Sequence, residues 1–262
     1  MNNTTIVTAF FDINREKKGD GRSIDEYLKW IKQTLQLNCH LIVYTESKFV
    51  DFMHAHRPKC YPIIVIEQRL QDLSFYKYLP RMEKILQSDY YKQKIADPNR
   101  VECVLPAYNI IQHSKFGWIK QTIASNPFKT EYFFWMDIGA SRFFKNIDLS
   151  KQFPVSSKEL ENSEERFMVQ MRHDLYSFPI DENFIWRSDN LLRGGFLGGH
   201  KNTMCKMDDE MKNIFEKEML SKENVNNEQL TMTLLWKKKP ELFKIIPDMN
   251  SEVVLMDLLA MS

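Results

Sequence analysis

Glycine is scarce in this chain. Eight occur in 262 residues, and Gly194, Gly195, Gly198 and Gly199 make up half of them within one short segment. Surplus charge is also lacking: 36 Lys and Arg against 35 Asp and Glu leave a formal net charge of +1. That balance gives no reason to expect nucleic acid or an anionic membrane as partner. No apolar run reaches the roughly 18 residues a transmembrane helix needs, so no transmembrane segment is expected, and peripheral membrane contact stays open. The start, "MNNTTIVTAFFD", lacks a basic segment followed by a long apolar one and does not read as a secretory signal. The four cysteines (Cys39, Cys60, Cys103, Cys205) form no C-x-x-C pair, which argues against a structural zinc site. Scattered thiols of this kind read as the reduced cysteines of a cytoplasmic protein. His54 and His56 are two apart and would not share a helix face. No repeat, low-complexity tract or linker divides the chain, so residues 1–262 are expected to form one domain.

What is present is apolar bulk: 43% hydrophobic and 13% aromatic residues can bury a sizeable core. "TIVTAFF" (residues 5–11), "HLIVY" (40–44), "YPIIVI" (61–66), "YFFWMD" (132–137), "FMVQM" (167–171) and "FKIIPD" (243–248) carry strand signatures. Between them lie helical segments. Ser23 and Glu26 form a capping box before "YLKWIKQTL". A second helix opens at Ser47, residues 70–108 read as mostly helical, and residues 109–124 place Ile110, Ile111, Ser114, Trp118 and Ile119 at helical spacing. Later helices are expected over 201–220 and 227–236, and residues 156–166 as an exposed connection. Alternating strands and helices predict an α/β fold, with a mixed, mainly parallel central sheet flanked by helices.

Ligands of such sheets bind beyond the carboxyl ends of the strands. Asp12 and Asp137 both sit at such ends. Asp137 follows a strand apolar throughout, which implies burial on both faces, and Gly139 permits close approach of a ligand. Asp137 could hold Mn or Mg through oxygen and so neutralise a diphosphate, or it could simply cap the next turn. "RGGFLGGH" (193–200) reads as a short strand with tight turns at both ends. It could lay bare N–H groups of Gly194, Gly195, Gly198 and Gly199 against a sugar or phosphate, with His200 beside them, or be a plain glycine-rich hairpin. In "NNEQL" (226–230), Glu228 could act on a sugar hydroxyl or cap the helix. It is expected at a cleft rim, with Gln229 adjacent. Lys115 could reach a phosphate as a point charge or be solvated. Trp186 could stack on a sugar or be an ordinary half-buried Trp.

Taken in order, "TIVTAFFDINR", "NPFKTEYFFWMDIGASR", "RGGFLGGH" and "NEQLTMTLLWKKKPELF" resemble the HtrL/YibB family, also described as WlaTC-like, over nearly the whole chain. The family is similar to GT-A-fold glycosyltransferases. The resemblance implies sugar transfer from a nucleotide-sugar, UDP-linked by preference, to a glycan acceptor of a surface polysaccharide or lipopolysaccharide. A non-catalytic nucleotide-sugar or glycan-binding protein and a nucleotidyltransferase are the alternatives. Asp137-Ile138-Gly139 falls where GT-A enzymes carry an Asp-X-Asp metal motif, with Gly139 replacing the second carboxylate, so Asp137 alone would serve a metal. Residues 8–12, including Thr8, Phe10 and Asp12, fall where the base and ribose are held. Lys115, Gly139 and Arg142 join that nucleotide-binding group. Asp137 and Glu228 are the implied catalytic residues, and the glycine strand, His200, Trp186 and Gln229 the implied substrate-binding set.

Overall fold

The structure is a computed structural model describing residues 3–145, 147–154, 158–247, 249 and 251–260. The expected features at Ser156 and Asp248, and the ends of the expected domain, lie outside these residues. The strands are β1 (Thr4–Phe10), β2 (His40–Thr45), β3 (Ile63–Glu67), β4 (Tyr132–Met136), β5 (Phe167–Met171), β6 (Leu192–His200) and β7 (Phe243–Ile246). The helices are α1 (Arg15–Lys18), α2 (Ile24–Thr34), α3 (Ser47–His56), α4 (Leu79–Gln87), α5 (Asp89–Lys94), α6 (Val101–Val104), α7 (Pro106–Ser125), α8 (Lys158–Glu161), α9 (Lys201–Ile214), α10 (Glu228–Lys238) and α11 (Val254–Ala260).

All these strands join one seven-stranded sheet in the order β3-β2-β1-β4-β6-β5-β7. β1 pairs in parallel with β2 and β4, and β2 with β3. β6 runs antiparallel to both β4 and β5, and β7 is parallel to β5. The sheet is therefore mainly parallel with one reversed strand. Alternate residues serve two cores. Val7, Ala9, Phe133 and Trp135 face the layer built by α4, α7, α9 and α10. Ile6, Phe10, Phe134 and Met136 face the layer of α2, α3 and α11. The strands are apolar on both faces because both are covered.

Local chemistry sets the boundaries. The Ser23–Glu26 capping box forms at the start of α2. α7 starts earlier than its apolar spacing suggests, at Pro106, whose fixed φ suits a first helical turn. It stops at Asn126, in the left-handed region at φ 33°. Residues 70–108 are helical only in short pieces, and α9 passes at Phe215 into a π-helical turn. Among the described residues no helix is long and apolar enough to cross a membrane.

The glycine segment departs from expectation. It contains no tight turns; Gly194 to Gly199 lie inside the continuous nine-residue strand β6. Its glycines answer crowding. A Cβ on Gly198 would stand 2.3 Å from the Phe133 carbonyl oxygen and 2.6 Å from Phe134 Cα, and one on Gly199 would stand 2.8 Å from the Arg166 carbonyl. Gly198→Ala is expected to cost about 1–3 kcal/mol through overpacking against backbone that cannot yield. Gly195→Ala, whose nearest neighbour is Asp137 Oδ2 at 3.7 Å, should cost clearly less. Urea denaturation of both variants checks this, and equal costs would refute the crowding argument.

Candidate functional site

Reversal of one strand assembles the site. β1 and β4 run in parallel and end together at Phe10 and Met136, whereas β6 begins there. The Asp137 N–H donates to the Gly195 carbonyl at 2.7 Å, so the start of the glycine strand lies beside the end of β4. The turn after Asp137 is tied to α2: Thr34 Oγ1 donates to the Ile138 carbonyl and Ser141 Oγ to the Trp30 carbonyl, each at 2.7 Å.

Beneath this rim is a buried ion cluster. Lys115 on α7 places Nζ 2.7 Å from Glu228 Oε1, 3.1 Å from Asp137 Oδ1 and 2.9 Å from the Gly194 carbonyl. Trp135 Nε1 donates to the same Asp137 Oδ1 at 2.7 Å. Side-chain exposure is 1% for Lys115, 0% for Glu228 and 37% for Asp137. Burial, the largest influence, pulls the Lys115 ammonium down, but Asp137 and Glu228 more than offset it and hold the group above its ordinary value. Burial pushes the Glu228 carboxyl up, and Lys115 only partly opposes that. A Cβ on Gly194 would lie 2.1 Å from Glu228 Oε1, so only glycine lets the β6 backbone rest on this carboxylate.

Two expectations are corrected here. Glu228 is in the core and not at a cleft rim. It is not the cap of α10 either: Asn227 caps, its side chain accepting from the N–H groups of Gln229 and Leu230. Lys115 is fully buried and so is not a solvated lysine.

Two chambers open above the cluster. The first, about 330 Å³, lies between the end of β1 and Asp137 and is lined by Phe10, Phe11, Asp12, Tyr27, Gly139 and others. The second, about 250 Å³, is lined by Gly194, Gly195, Asn227 and Gln229 among others. Arg15, Arg22, Tyr108, Asp137 and Arg142 line both. Asp12 is fixed by Lys48, whose Nζ lies 2.8 Å away. Burial works to raise the Asp12 carboxyl, but Lys48 and the Asn14 N–H bring it below its ordinary value.

The fold therefore brings Phe10, Asp12, Asp137, Gly139, Arg142, Gly194, Gly195 and Gln229 to the chambers, with Lys115 and Glu228 one layer behind. Thr8 is fully buried within β1. Gly198, Gly199 and His200 lie at the other end of β6, opposite Phe134, Phe133 and Tyr132. Trp186 packs against Tyr90 and Tyr91, away from both chambers. Sequence reasoning passed over Arg15, Arg22, Tyr27 and Tyr108. Only the presence of basic residues in the loop after β1 hinted at the first two.

The donor set does not fit a divalent cation. Among the described residues no group of three or more His, Cys, Asp or Glu could hold one. Asp137 Oδ1 is already engaged by Lys115 and Trp135, and Arg142 shares the chamber wall. At Asp137 a hard cation would meet a half-committed carboxylate and the neighbouring Arg142, where such ions prefer several oxygens.

The profile of a family described as "Bacterial protein of unknown function (HtrL_YibB)" matches residues 2–252. The chain belongs to this family. Protein HtrL of Escherichia coli (strain K12) is 24% identical over 263 residues, spanning 92% of this chain and 87% of that one. Core-mannan synthase A from Aspergillus fumigatus, in a Mn/GDP form, superposes with a TM-score of 0.53 at 9% identity, covering 94% of this chain and 73% of that one. Mouse xyloside xylosyltransferase 1 gives a TM-score of 0.44 at 9% identity, covering 92% and 84%. At such identities the likeness establishes fold alone, and that fold is the GT-A arrangement of glycosyltransferases.

Lys115→Met would leave two carboxylates facing each other without a cation and should cost roughly 3–5 kcal/mol. The cost should depend on pH. Without Lys115, burial raises the Glu228 carboxyl further above its ordinary 4.5. The folded chain then keeps a proton that the unfolded chain releases, so stability falls as pH rises from about 4.5 toward the raised native value. Denaturation at about pH 5 and about pH 8 should give a larger deficit against wild type at the higher pH. A deficit independent of pH would refute the cluster's electrostatics.

Proposed function

We propose that this chain is a glycosyltransferase moving a sugar from a nucleotide-sugar to an acceptor hydroxyl. The observation that carries the reading is the pair of chambers meeting at Asp137 on a GT-A framework. In this reading the first chamber takes the nucleotide, with Phe10 and Tyr27 as apolar walls for the base, and the second takes the acceptor, with Gln229 and the Gly194–Gly195 backbone beside it. The anomeric carbon then lies at the junction. The acceptor oxygen bonds to that carbon, the bond to the diphosphate oxygen breaks, and the nucleoside diphosphate departs. In this reading Asp137 accepts the acceptor's proton through Oδ2. Its Oδ1 is occupied by Lys115 and Trp135, which fix its orientation. Glu228 acts at one remove: it orients Lys115, which orients Asp137. A UDP-linked donor, a surface polysaccharide or lipopolysaccharide acceptor and a cytoplasmic setting complete the proposal.

Incubation with a panel of UDP-, GDP- and CDP-sugars tests it, with Mn, with Mg and with EDTA, reading released nucleoside diphosphate. Release from at least one donor is expected, increased by acceptor. Asp137→Asn should lower turnover by about 10²- to 10⁴-fold, the usual cost of losing a positioned base, with nucleotide binding retained. Binding with no turnover by wild type would instead mark a non-catalytic sugar-nucleotide protein. Pyrophosphate release from a nucleoside triphosphate would mark a nucleotidyltransferase.

A further inference from the structure

The junction of the two chambers is crowded with guanidinium groups. Arg15, Arg22 and Arg142 line both chambers, and Asp20 answers for two of them. It takes Arg15 through Nε at 3.0 Å and Nη2 at 2.5 Å, and Arg22 Nε lies 3.3 Å from it. Arg142 has no ion-pair partner among the described residues. It is held by aromatic faces, with its guanidinium carbon 5.0 Å from the Trp30 ring and 4.6 Å from the Phe143 ring. Arg15 is fixed in a comparable way, 4.8 Å from the Tyr108 ring and donating to Tyr27 Oη at 2.6 Å. For Arg142 stacking leaves the N–H edges free while removing much of the rotamer freedom, whereas each Arg15 nitrogen already donates to Asp20 or Tyr27. The arginines also repel one another. Burial is the largest influence lowering the Arg142 guanidinium, Arg22 and Arg15 lower it further, and Asp137 and Tyr27 only partly oppose them. Arg142, stacked and without a carboxylate ion pair, thus stands beside Arg15 and Arg22 in walls that they share with Asp137, and its planar fork is suited to a multivalent anion with bidentate edges.

We propose that Arg142, with Arg22 and Arg15 beside it, binds the diphosphate of the donor directly, and that no divalent cation takes part. The inference rests on the glycosyltransferase reading for the identity of the ligand, but the anion site stands on its own geometry. The ground for leaving out the cation is local charge. Asp137 Oδ1 already accepts from Lys115 and Trp135, no group of three or more His, Cys, Asp or Glu among the described residues could hold a cation, and the neighbouring guanidinium groups that would repel Mn or Mg are what a diphosphate requires. The arginines then also stabilise the charge that grows on the departing diphosphate, as fixed cations do in phosphoryl chemistry.

Titration calorimetry on the full chain tests this with three probes: UDP, uridine and inorganic pyrophosphate, each in EDTA and in Mn. UDP and pyrophosphate are expected to bind in EDTA with the affinity they show in Mn, and uridine much more weakly. Arg142→Ala should weaken UDP and pyrophosphate by roughly 10- to 100-fold, the value of charge-assisted hydrogen bonds to an anion, and leave uridine unchanged. Arg142→Lys, keeping charge but losing the fork, should fall between. Arg22→Gln should weaken the same two probes to a smaller degree, and the melting temperature of each variant reports folding. UDP binding that requires Mn, or that survives Arg142→Ala intact, would overturn the proposal. Pyrophosphate binding lost in Arg142→Ala, with no nucleotide bound under any condition, would support the anion site while refuting the glycosyltransferase reading.

Discussion

The ammonium of Lys115 is the point on which the rest of the site hangs. It comes from α7, reaches the carboxylate at the start of α10, the carboxylate at the end of β4 and a carbonyl of β6, and so ties four elements together through a buried ammonium. A buried lysine is costly unless its partners are near and well oriented. Here the cost enforces geometry: any shift of β4 relative to α7 or α10 would leave charge unpaired. The exposed part of Asp137 therefore sits on a rigid base, although it lies at the mouth of two chambers. Preorganisation of this kind is what a carboxylate needs to act repeatedly on one atom of a bound ligand.

The reversed strand does a second job. Ligands of parallel sheets gather at the carboxyl ends of strands, and that rim usually offers loops. Because β6 is antiparallel, the rim here also receives the beginning of a strand, at Gly194 and Gly195, whose carbonyls are held by Lys115 and by the Asp137 N–H. The glycines divide the labour along one strand. Gly194 makes room for Glu228 Oε1, and Gly198 makes room for the backbone of β4. One composition signal thus reflects two different crowding problems at opposite ends of the sheet.

Much of this was legible in the sequence. The unbroken apolar run before Asp137 gave a doubly covered strand, and β4 is interior to the sheet. Ser23 and Glu26 formed the cap their spacing suggested, because capping is a local matter. The failures were of another kind. The glycines suggested turns because glycine scarcity elsewhere made a cluster look like punctuation, whereas the requirement came from strands more than twenty residues away in sequence. Glu228 suggested a cap or a rim carboxylate because helix starts favour acids. What decides its place is Lys115, 113 positions earlier. Arg15, Arg22 and Tyr108 carried no distinguishing spacing, since a basic loop residue in a binding site looks like any other until the fold brings it beside its partners.

One feature of the chambers bears on how ligands would follow one another. Five side chains belong to both walls, so a ligand in one chamber rebuilds part of the surface that the other ligand meets. Occupancies that share a wall in this way are not independent, and by thermodynamic linkage each ligand alters the affinity of the other by the same factor. A charged ligand in one chamber neutralises Arg142 and Arg22 where they stand and so lowers the positive potential that the other chamber presents, and its departure restores it. In the proposed two-ligand reading, the shared wall would make binding order follow from geometry, set by which ligand gains more from the arginines common to both chambers.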